Sequence, residues 1–189
     1  ITFDAHEHVS IASLPGMAER TITMSAFTKA YAMDGWRLGY AVASAELIAA
    51  MLKITTNEVT HVNRFIQDGA LAAVLHGEAA VREMVDDDRA KRDVVVRALN
   101  QMSGVRCAVP QGTIYAFPDV SGTGLPSQVL ADRILDQCQI VVEAGSFYGE
   151  AGEGYLRLCF GSQPMNRIEE ALDRLRGFFG SLAETGTRT

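Results

Sequence analysis

The most informative stretch of this sequence is Ser25–Tyr40, "SAFTKAYAMDGWRLGY". It places two cations, Lys29 and Arg37, among residues that are mostly small, hydroxyl-bearing or apolar. Lys29 comes just after a short β-like run, and Arg37 lies between a tryptophan and a Leu-Gly-Tyr sequence. Two cations this close together, in a segment that is otherwise almost without charge, raise the question of whether both serve one site.

Lys29 is a candidate nucleophile. Burial and a neighbouring cation both favour the neutral amine of a lysine, and a neutral amine can attack an aldehyde to form a Schiff base. The residues around Lys29 are small, weakly polar or apolar, so we expect its side chain to be buried. Arg37 can supply the neighbouring cation if the loop between the two residues folds back.

Arg37 is a candidate ligand for an anion. Its planar guanidinium binds a phosphate through two parallel hydrogen bonds and stays charged at every working pH. Ser25 and Thr28 add hydroxyl donors nearby in the sequence. By chemistry alone, such a Lys–Arg pair is more often two separate surface charges. If the two act together, they offer an amine for a carbonyl and a cradle for a phosphate, and pyridoxal phosphate carries both groups.

The order of residues in this stretch closely resembles the lysine signature of the class I and II aminotransferases, which have pyridoxal-phosphate fold type I. In that family a small or hydroxyl residue precedes the lysine, and Gly-x-Arg-x-Gly follows it, as "GWRLG" does here. The resemblance implies that Lys29 is the Schiff-base lysine and Arg37 the phosphate-binding arginine. Many members have a phosphate-binding serine three residues before the lysine, where this chain has Ala26. Ser25 is therefore the substitute phosphate ligand we expect, with Thr28 either a second donor or a packing residue.

A second motif, "EGYLRLCFG", contains Arg157 in the middle of an apolar strand pattern. A buried arginine is costly without an anionic partner, and an internal carboxylate would satisfy that need. The motif also resembles the family's Tyr-x-Arg-x-Ser/Cys-Phe sequence, which implies that Arg157 holds the α-carboxylate of the substrate. The preceding segment, which includes Phe147 and Tyr148, resembles the loop that leads to this arginine, and its glycines predict flexibility. Tyr115 is either near the active site or a core aromatic residue.

Periodicity and turn residues predict a mixed α/β chain. The predicted strands are Thr21–Met24, Leu38–Val42, Val105–Val109, Thr113–Phe117, Ile140–Val142 and Tyr155–Phe160, and the predicted helices are Ala45–Ile54, Asn63–Leu75, Glu78–Met102, Ser127–Gln137 and a last helix opening at Pro164. The small residues of the second helix predict close packing against a neighbour. Its small-residue face could also serve a subunit boundary.

The resemblance implies the C-terminal part of a fold type I pyridoxal-phosphate-dependent transferase, namely the end of the large-domain sheet followed by the small α/β domain. Residues 1–80 would complete the cofactor-binding large domain, and residues 81–189 would form the small domain, including the long interdomain helix. The chain begins at Ile1 in what looks like mid-domain sequence. The family's acidic partner of the pyridine nitrogen would then precede this point.

Composition narrows the classes of partner. The formal charge of −6 and the absence of basic blocks argue against a nucleic-acid surface. No stretch reaches the roughly 18 uninterrupted apolar residues that a membrane span needs. The four histidines show no metal-ligand spacing, so no metal is expected. The three cysteines form no CxxC pair and have apolar neighbours, which predicts buried free thiols and a reducing cytoplasm.

The sequence thus predicts a pyridoxal-phosphate-dependent aminotransferase that moves an amino group between an amino acid and a 2-oxo acid, acting as a cytoplasmic homodimer. Two alternatives use the same residues: a lyase or cyclase on the same scaffold, and an aminotransferase-like ligand-binding domain of a transcription regulator. As a fragment that lacks the pyridine-nitrogen partner, the chain is expected to be inactive alone. The identity of the amino-acid substrate cannot be read from it.

Overall fold

The computed structural model describes residues 1–186. The final residues, 187–189, which the sequence assigns to the predicted small domain, lie outside the described residues. The chain divides into two compact units, one comprising Ile1–Val85 and the other beginning at Asp86. The predicted α/β class is confirmed, because each unit combines helices with a small antiparallel sheet.

The first unit is built around a hairpin and two helices. Its strands β1 (Thr23–Ala26) and β2 (Gly39–Val42) pair in antiparallel fashion, with Thr23 opposite Val42 and Ala26 opposite Gly39. The helices α1 (Ala45–Glu58) and α2 (Arg64–His76) follow, and α3 (Glu78–Leu99) then runs across the division between the units. Pairing with β2 explains why β1 ends later than the sequence predicts.

Helix α1 begins where the sequence predicts and continues for an extra turn. The Ser44 hydroxyl caps it by accepting a hydrogen bond from the backbone N–H of Leu47 at 3.4 Å. Beyond the predicted end at Ile54, the hydroxyls of Thr55 and Thr56 donate to carbonyl oxygens one turn earlier, at 3.1 and 2.7 Å. These polar residues are typical of a helix end, but their side chains bond back onto the helix and so remain compatible with it.

The second unit contains a three-stranded sheet covered by helices. The order of its strands is β3-β5-β4, and β5 pairs in antiparallel fashion with both neighbours. The remaining elements are β3 (Tyr115–Ala116), α4 (Ser127–Cys138), β4 (Glu143–Ala144), β5 (Leu156–Cys159) and α5 (Met165–Gly186). The strand β5 is therefore the centre of this sheet, and the side chains it presents are flanked by residues from both sides.

Two predicted strands are absent from the described structure as continuous elements. In the segment 105–109, the amide side chain of Asn100 hydrogen-bonds both the N–H and the C=O of Cys107, each at 2.9 Å. Those backbone groups are thereby withdrawn from strand pairing, and only Arg106 forms a bridge, to Asp119. The segment Ile140–Val142 is not a strand either, because pairing with β5 begins only at Glu143.

Two of the three cysteines are buried and the third is exposed. Cys107 and Cys138 are buried free thiols as predicted, and burial raises the pKa of Cys107 to about 11. The prediction is wrong for Cys159, which is exposed because it lies at the end of β5.

Within residues 1–186, no helix has the length and hydropathy needed to cross a membrane. The same residues contain no group of three His, Cys, Asp or Glu side chains suited to a metal ion.

The two units differ sharply in how much apolar surface they bury. Among the described residues, the buried hydrophobic side chains of the first unit are Phe3, Phe27, Met33 and Ala70, whereas all the others belong to the second unit. In α2, Phe65 is 68% exposed, although an aromatic side chain of this size is usually covered. Hydrophobic burial is the main favourable term in folding, so the first unit is the less stable of the two.

We therefore expect amide hydrogens of α1 and α2 to exchange with solvent roughly ten times faster, or more, than those of α4 and α5, because local opening of the first unit exposes little additional apolar surface. Hydrogen–deuterium exchange with mass spectrometry on this chain measures the difference. Equal protection of the four helices would contradict this account of the first unit.

Candidate active site

The hairpin of the first unit brings Lys29 and Arg37 into one loop. Because Ala26 pairs with Gly39, residues 27–38 form the connection at one end of β1 and β2. Within it, the N–H of Phe27 donates to the carbonyl of Leu38 at 3.2 Å. Both predicted site cations therefore project from a single closed and hydrogen-bonded loop.

Apolar side chains anchor this loop to α2. Phe27 and Met33 are buried together with Ala70 of the helix. Partly buried residues packed against this group are Tyr31, Leu38 and Ala73. The small side chains of α2 allow the close approach, so the neighbour that the sequence predicts for this helix is the loop that carries Lys29.

Trp36 of the loop packs closely against Gly69 of the helix. A Cβ atom added at Gly69 would lie 2.8 Å from Cη2 of the Trp36 ring and closer still to Cζ3. No side chain larger than hydrogen fits beneath the indole at this point. Because Trp36 directly precedes Arg37, the contact determines where the chain turns toward β2.

Lys29 is exposed, which contradicts the burial that its neighbours predict. The physical reason is that Phe27 and Met33, on either side of it, occupy the inward positions of the loop. The lysine at the turn between them is left on the outer side. The apolar neighbours of Lys29 in the sequence thus pack against α2 rather than around its amine.

Arg37 is also exposed, and its backbone is in the left-handed region, with φ 53° and ψ 47°. This conformation costs a residue with a Cβ atom about 1 kcal/mol and persists where surrounding contacts impose it. Its Nη1 donates to the carbonyl oxygen of Asp34 at 3.0 Å. A guanidinium has five N–H donors, and this bond uses one of them, so an exposed anion can still be bound.

Ser25, the third predicted residue of this site, lies on β1 opposite Tyr40 and is exposed. Thr28 is half-buried beside Lys29. The first unit therefore brings a primary amine, a guanidinium and a hydroxyl to the hairpin and its connecting loop. Chemically, this donor set fits a small molecule that carries both an aldehyde and a phosphate.

Arg157 belongs to the second unit, where the register of the sheet surrounds it with specific partners. On β5 it stands opposite Glu143 of β4, and Nη2 of the arginine donates to Oε1 of that glutamate. Tyr115 of β3 stands opposite Cys159, which is on the same face of β5 as Arg157. A row of side chains thus crosses the sheet with the arginine at its centre.

Two aromatic rings complete the surroundings of Arg157. Its guanidinium carbon lies 4.5 Å from the centroid of the Tyr115 ring and 5.2 Å from that of Tyr148. The Tyr148 hydroxyl donates to Oε2 of Glu143, and this hydrogen bond raises the pKa of the tyrosine. Arginine is attracted to aromatic faces by their quadrupole, so the rings support the guanidinium without using its N–H donors.

The glycines of the loop between β4 and β5 predict flexibility, and in the structure two of them allow its backbone to pack closely. A Cβ atom at Gly145 would overlap the carbonyl oxygen of Gly152, and one at Gly152 would overlap that of Gly145. These glycines therefore permit two backbone segments to touch. The carboxylate of Glu153 accepts hydrogen bonds from the N–H and hydroxyl of Ser127 at the start of α4, at 2.7 and 2.8 Å. These bonds lower the pKa of Glu153 and tie the loop to the helix.

Arg157 and Glu143 also line one part of an open cleft of about 470 Å³ in the second unit. The segment 139–142, the end of β5 and the first half of α5 form much of the rest of its wall. Two further arginines on α5, Arg167 and Arg174, line it and share Glu170 as their carboxylate partner. The cleft provides solvent access to the Arg157–Glu143 pair.

Comparison with known proteins identifies the family to which these motifs belong. The family model described as aminotransferase class I and II matches residues 2–175, a range that contains all four predicted site residues. This chain belongs to the class I and II aminotransferase family. The recognition made from the lysine and arginine motifs is thereby confirmed.

Individual relatives are similar over nearly the whole chain. "Putative aminotransferase YugH" of Bacillus subtilis is 40% identical over 94% of this chain and 45% of its own length, and an aspartate aminotransferase of Pyrococcus abyssi is 39% identical over 92% and 44%. The crystal structure of an aromatic aminotransferase from Pyrococcus horikoshii superposes with a TM-score of 0.90 at 36% identity, covering 95% of this chain and 48% of that one. The chain thus spans about half the length of its relatives.

The sequence does not identify Glu143, the carboxylate partner of Arg157, and it leaves the role of Tyr115 open. In the sequence Glu143 looks like an ordinary polar residue at the end of an apolar run. The signal available was the general need of Arg157 for an anion, which does not indicate which of the chain's acidic residues supplies it. Tyr115 is predicted either to lie near the active site or to be a core aromatic residue, and the structure places both it and Tyr148 against the arginine.

The anchoring of the aminotransferase loop can be tested with the single tryptophan of the chain. In Gly69→Ala the new methyl group must displace the Trp36 ring, so acrylamide should quench its fluorescence more strongly, and the free energy of unfolding should fall by about 1–3 kcal/mol. Gly180→Ala is the matched control, since nothing lies within 4 Å of a Cβ atom there. It should leave quenching unchanged. Equal quenching in the two variants would show that Trp36 does not rest on Gly69.

Proposed function

We propose that this chain forms the C-terminal part of a pyridoxal-phosphate-dependent aminotransferase that transfers an amino group between an amino acid and a 2-oxo acid. The observation that carries the proposal is the placement of Lys29 and Arg37 on one anchored loop, within the residues that match the aminotransferase family. Membership of the family limits the chemistry, and the loop supplies the two functional groups that the cofactor requires.

The cofactor would be held by three residues of the first unit. The amine of Lys29 would attach to its aldehyde, the guanidinium of Arg37 would bind its phosphate, and the Ser25 hydroxyl would donate to the same phosphate. When bound, pyridoxal phosphate supplies the electron sink that stabilises negative charge at the substrate Cα. The exposure of Lys29 and Arg37 in this chain leaves both groups accessible to such a ligand.

The other steps are assigned to the chain's own side chains. The Lys29 amine would act as a general base that takes the proton from the substrate Cα. Its protonated form would then act as a general acid. Arg157 would bind the substrate carboxylate through paired, charge-assisted hydrogen bonds and so orient the Cα–H bond. The rings of Tyr115 and Tyr148 would keep the guanidinium in place during exchange of the carboxylates.

The proposal extends to organisation and location. Residues 1–80 would belong to the large, cofactor-binding domain and residues 81–189 to the small domain. The complete enzyme would be a homodimer in the cytoplasm, where free thiols such as Cys107 and Cys138 persist. Amino acids and 2-oxo acids would be its partners, and its acidic net charge of −6 disfavours a nucleic-acid partner.

The role of Lys29 can be tested in the full-length protein incubated with pyridoxal phosphate. Reduction with borohydride followed by peptide mass spectrometry should find the cofactor attached to Lys29 and not to Lys53, an exposed lysine of α1. Lys29→Ala should abolish attachment and lower transamination by at least about a thousandfold, since general acid–base and nucleophilic roles are lost together. Lys53→Ala should change neither. Attachment at another lysine would refute the assignment.

The isolated chain of 189 residues should not catalyse transamination, although it carries Lys29, Arg37 and Arg157. It spans about half the length of its relatives, and a partial site orients neither cofactor nor substrate well enough for reaction. Turnover is measured as the conversion of a panel of amino acids with 2-oxoglutarate. The full-length protein serves as the positive control, and appreciable turnover by the isolated chain would show that its residues suffice.

A further inference from the structure

In this structure the guanidinium of Arg157 is already neutralised by a carboxylate from the same chain. Glu143 stands directly opposite it in the β4–β5 register, and the two side chains form an ion pair. The pair is thus a product of strand pairing rather than of a chance surface encounter. A ligand carboxylate that approaches the arginine meets a position that Glu143 occupies.

The other oxygen of Glu143 is also engaged. The Tyr148 hydroxyl donates to Oε2, while Arg157 donates to Oε1, so the carboxylate bridges a cation and a phenol. This second hydrogen bond gives the glutamate a partner that does not depend on the arginine. If Glu143 leaves the guanidinium, it can keep its bond to Tyr148 and need not move into an apolar environment.

We propose that Glu143 is a displaceable counter-ion of Arg157, and that an incoming ligand carboxylate takes its place on the guanidinium. Glu143 then determines how tightly the site binds carboxylates, because each binding event must break an existing ion pair. This inference rests on the carboxylate-binding role proposed for Arg157. It adds that Glu143, which Tyr148 holds in place, competes with the ligand carboxylate for the Arg157 guanidinium.

The exposure of the pair makes this exchange feasible. The side chain of Arg157 is 29% exposed and that of Glu143 is 41% exposed, and both line the open cleft. Ion pairs that remain in contact with water are weak, whereas a fully buried pair resists separation because each charge would be left without a partner. A carboxylate ligand can therefore replace Glu143 without a large cost in desolvation.

The test uses propionate, a monocarboxylate without an amino group, titrated into isotope-labelled chain and followed by the NMR signal of the Arg157 Nε–H group. Glu143→Gln keeps the size of the side chain and its capacity to accept from Tyr148, but removes the competing charge. We expect it to lower the dissociation constant of propionate about two- to fivefold, the upper range of what an exposed ion pair contributes. Glu143→Ala should act in the same direction, which covers the case in which one variant folds poorly.

Three control variants locate the effect. Glu150→Gln removes an exposed carboxylate from the same loop and should leave the dissociation constant unchanged. Arg167→Gln removes another arginine of the cleft and should also have no effect, if propionate binds at Arg157. Arg157→Gln should abolish the saturable response of the labelled chain at its remaining cleft residues, since it removes the cation that receives the carboxylate.

Unchanged or weaker propionate binding in both Glu143 variants would overturn the inference and show that the glutamate only orients the arginine. A missing response at Arg157 in every variant would overturn it as well. The result is separable from the proposed function, because propionate binding does not require the cofactor or turnover. Loss of the Lys29 assignment would leave the titration intact, and a failed titration would leave cofactor attachment at Lys29 intact.

Discussion

The antiparallel pairing of β5 with β4 is the interaction on which the proposed substrate site depends. In this register Arg157 faces Glu143, and the pairing with β3 on the other side brings Tyr115 to the same face. Side chains directly opposite in an antiparallel pair are close enough to interact, and diagonal neighbours remain within reach of long side chains. A shift of one residue would turn Arg157 to the other face and separate it from all these partners.

In the first unit, two cations, Lys29 and Arg37, lie on the exposed side of a loop. The large apolar side chains of that loop pack against the smallest residues of α2. Phe27 and Met33 lie against Ala70, and Trp36 lies against Gly69. The loop is thereby ordered although this unit buries little apolar surface elsewhere. Precise placement of the loop depends on a few close contacts, so a single added methyl group can disturb it.

The helices were largely predictable from the sequence, whereas the strands were predictable only in part. The last helix opens after Pro164 and carries a strong apolar stripe, and α4 follows its predicted bounds to within a residue. Helical periodicity is a local property, so the sequence reports it directly. A strand exists only where a partner accepts its backbone hydrogen bonds. The segments 105–109 and 140–142 have suitable side chains, yet the first bonds to Asn100 and the second lies along the cleft.

The candidate site, too, was predictable from the sequence only in part. Residue order alone specifies the kinds of functional group, namely an amine and a guanidinium at fixed spacing and an arginine in an apolar strand, because motif identity depends on nothing else. Folding was needed to show that Lys29 is exposed, that Cys159 lies outside the core and that Glu143 is the partner of Arg157. Burial and ion pairing depend on which distant residues fold into contact, and a cation in a sequence does not specify its anion.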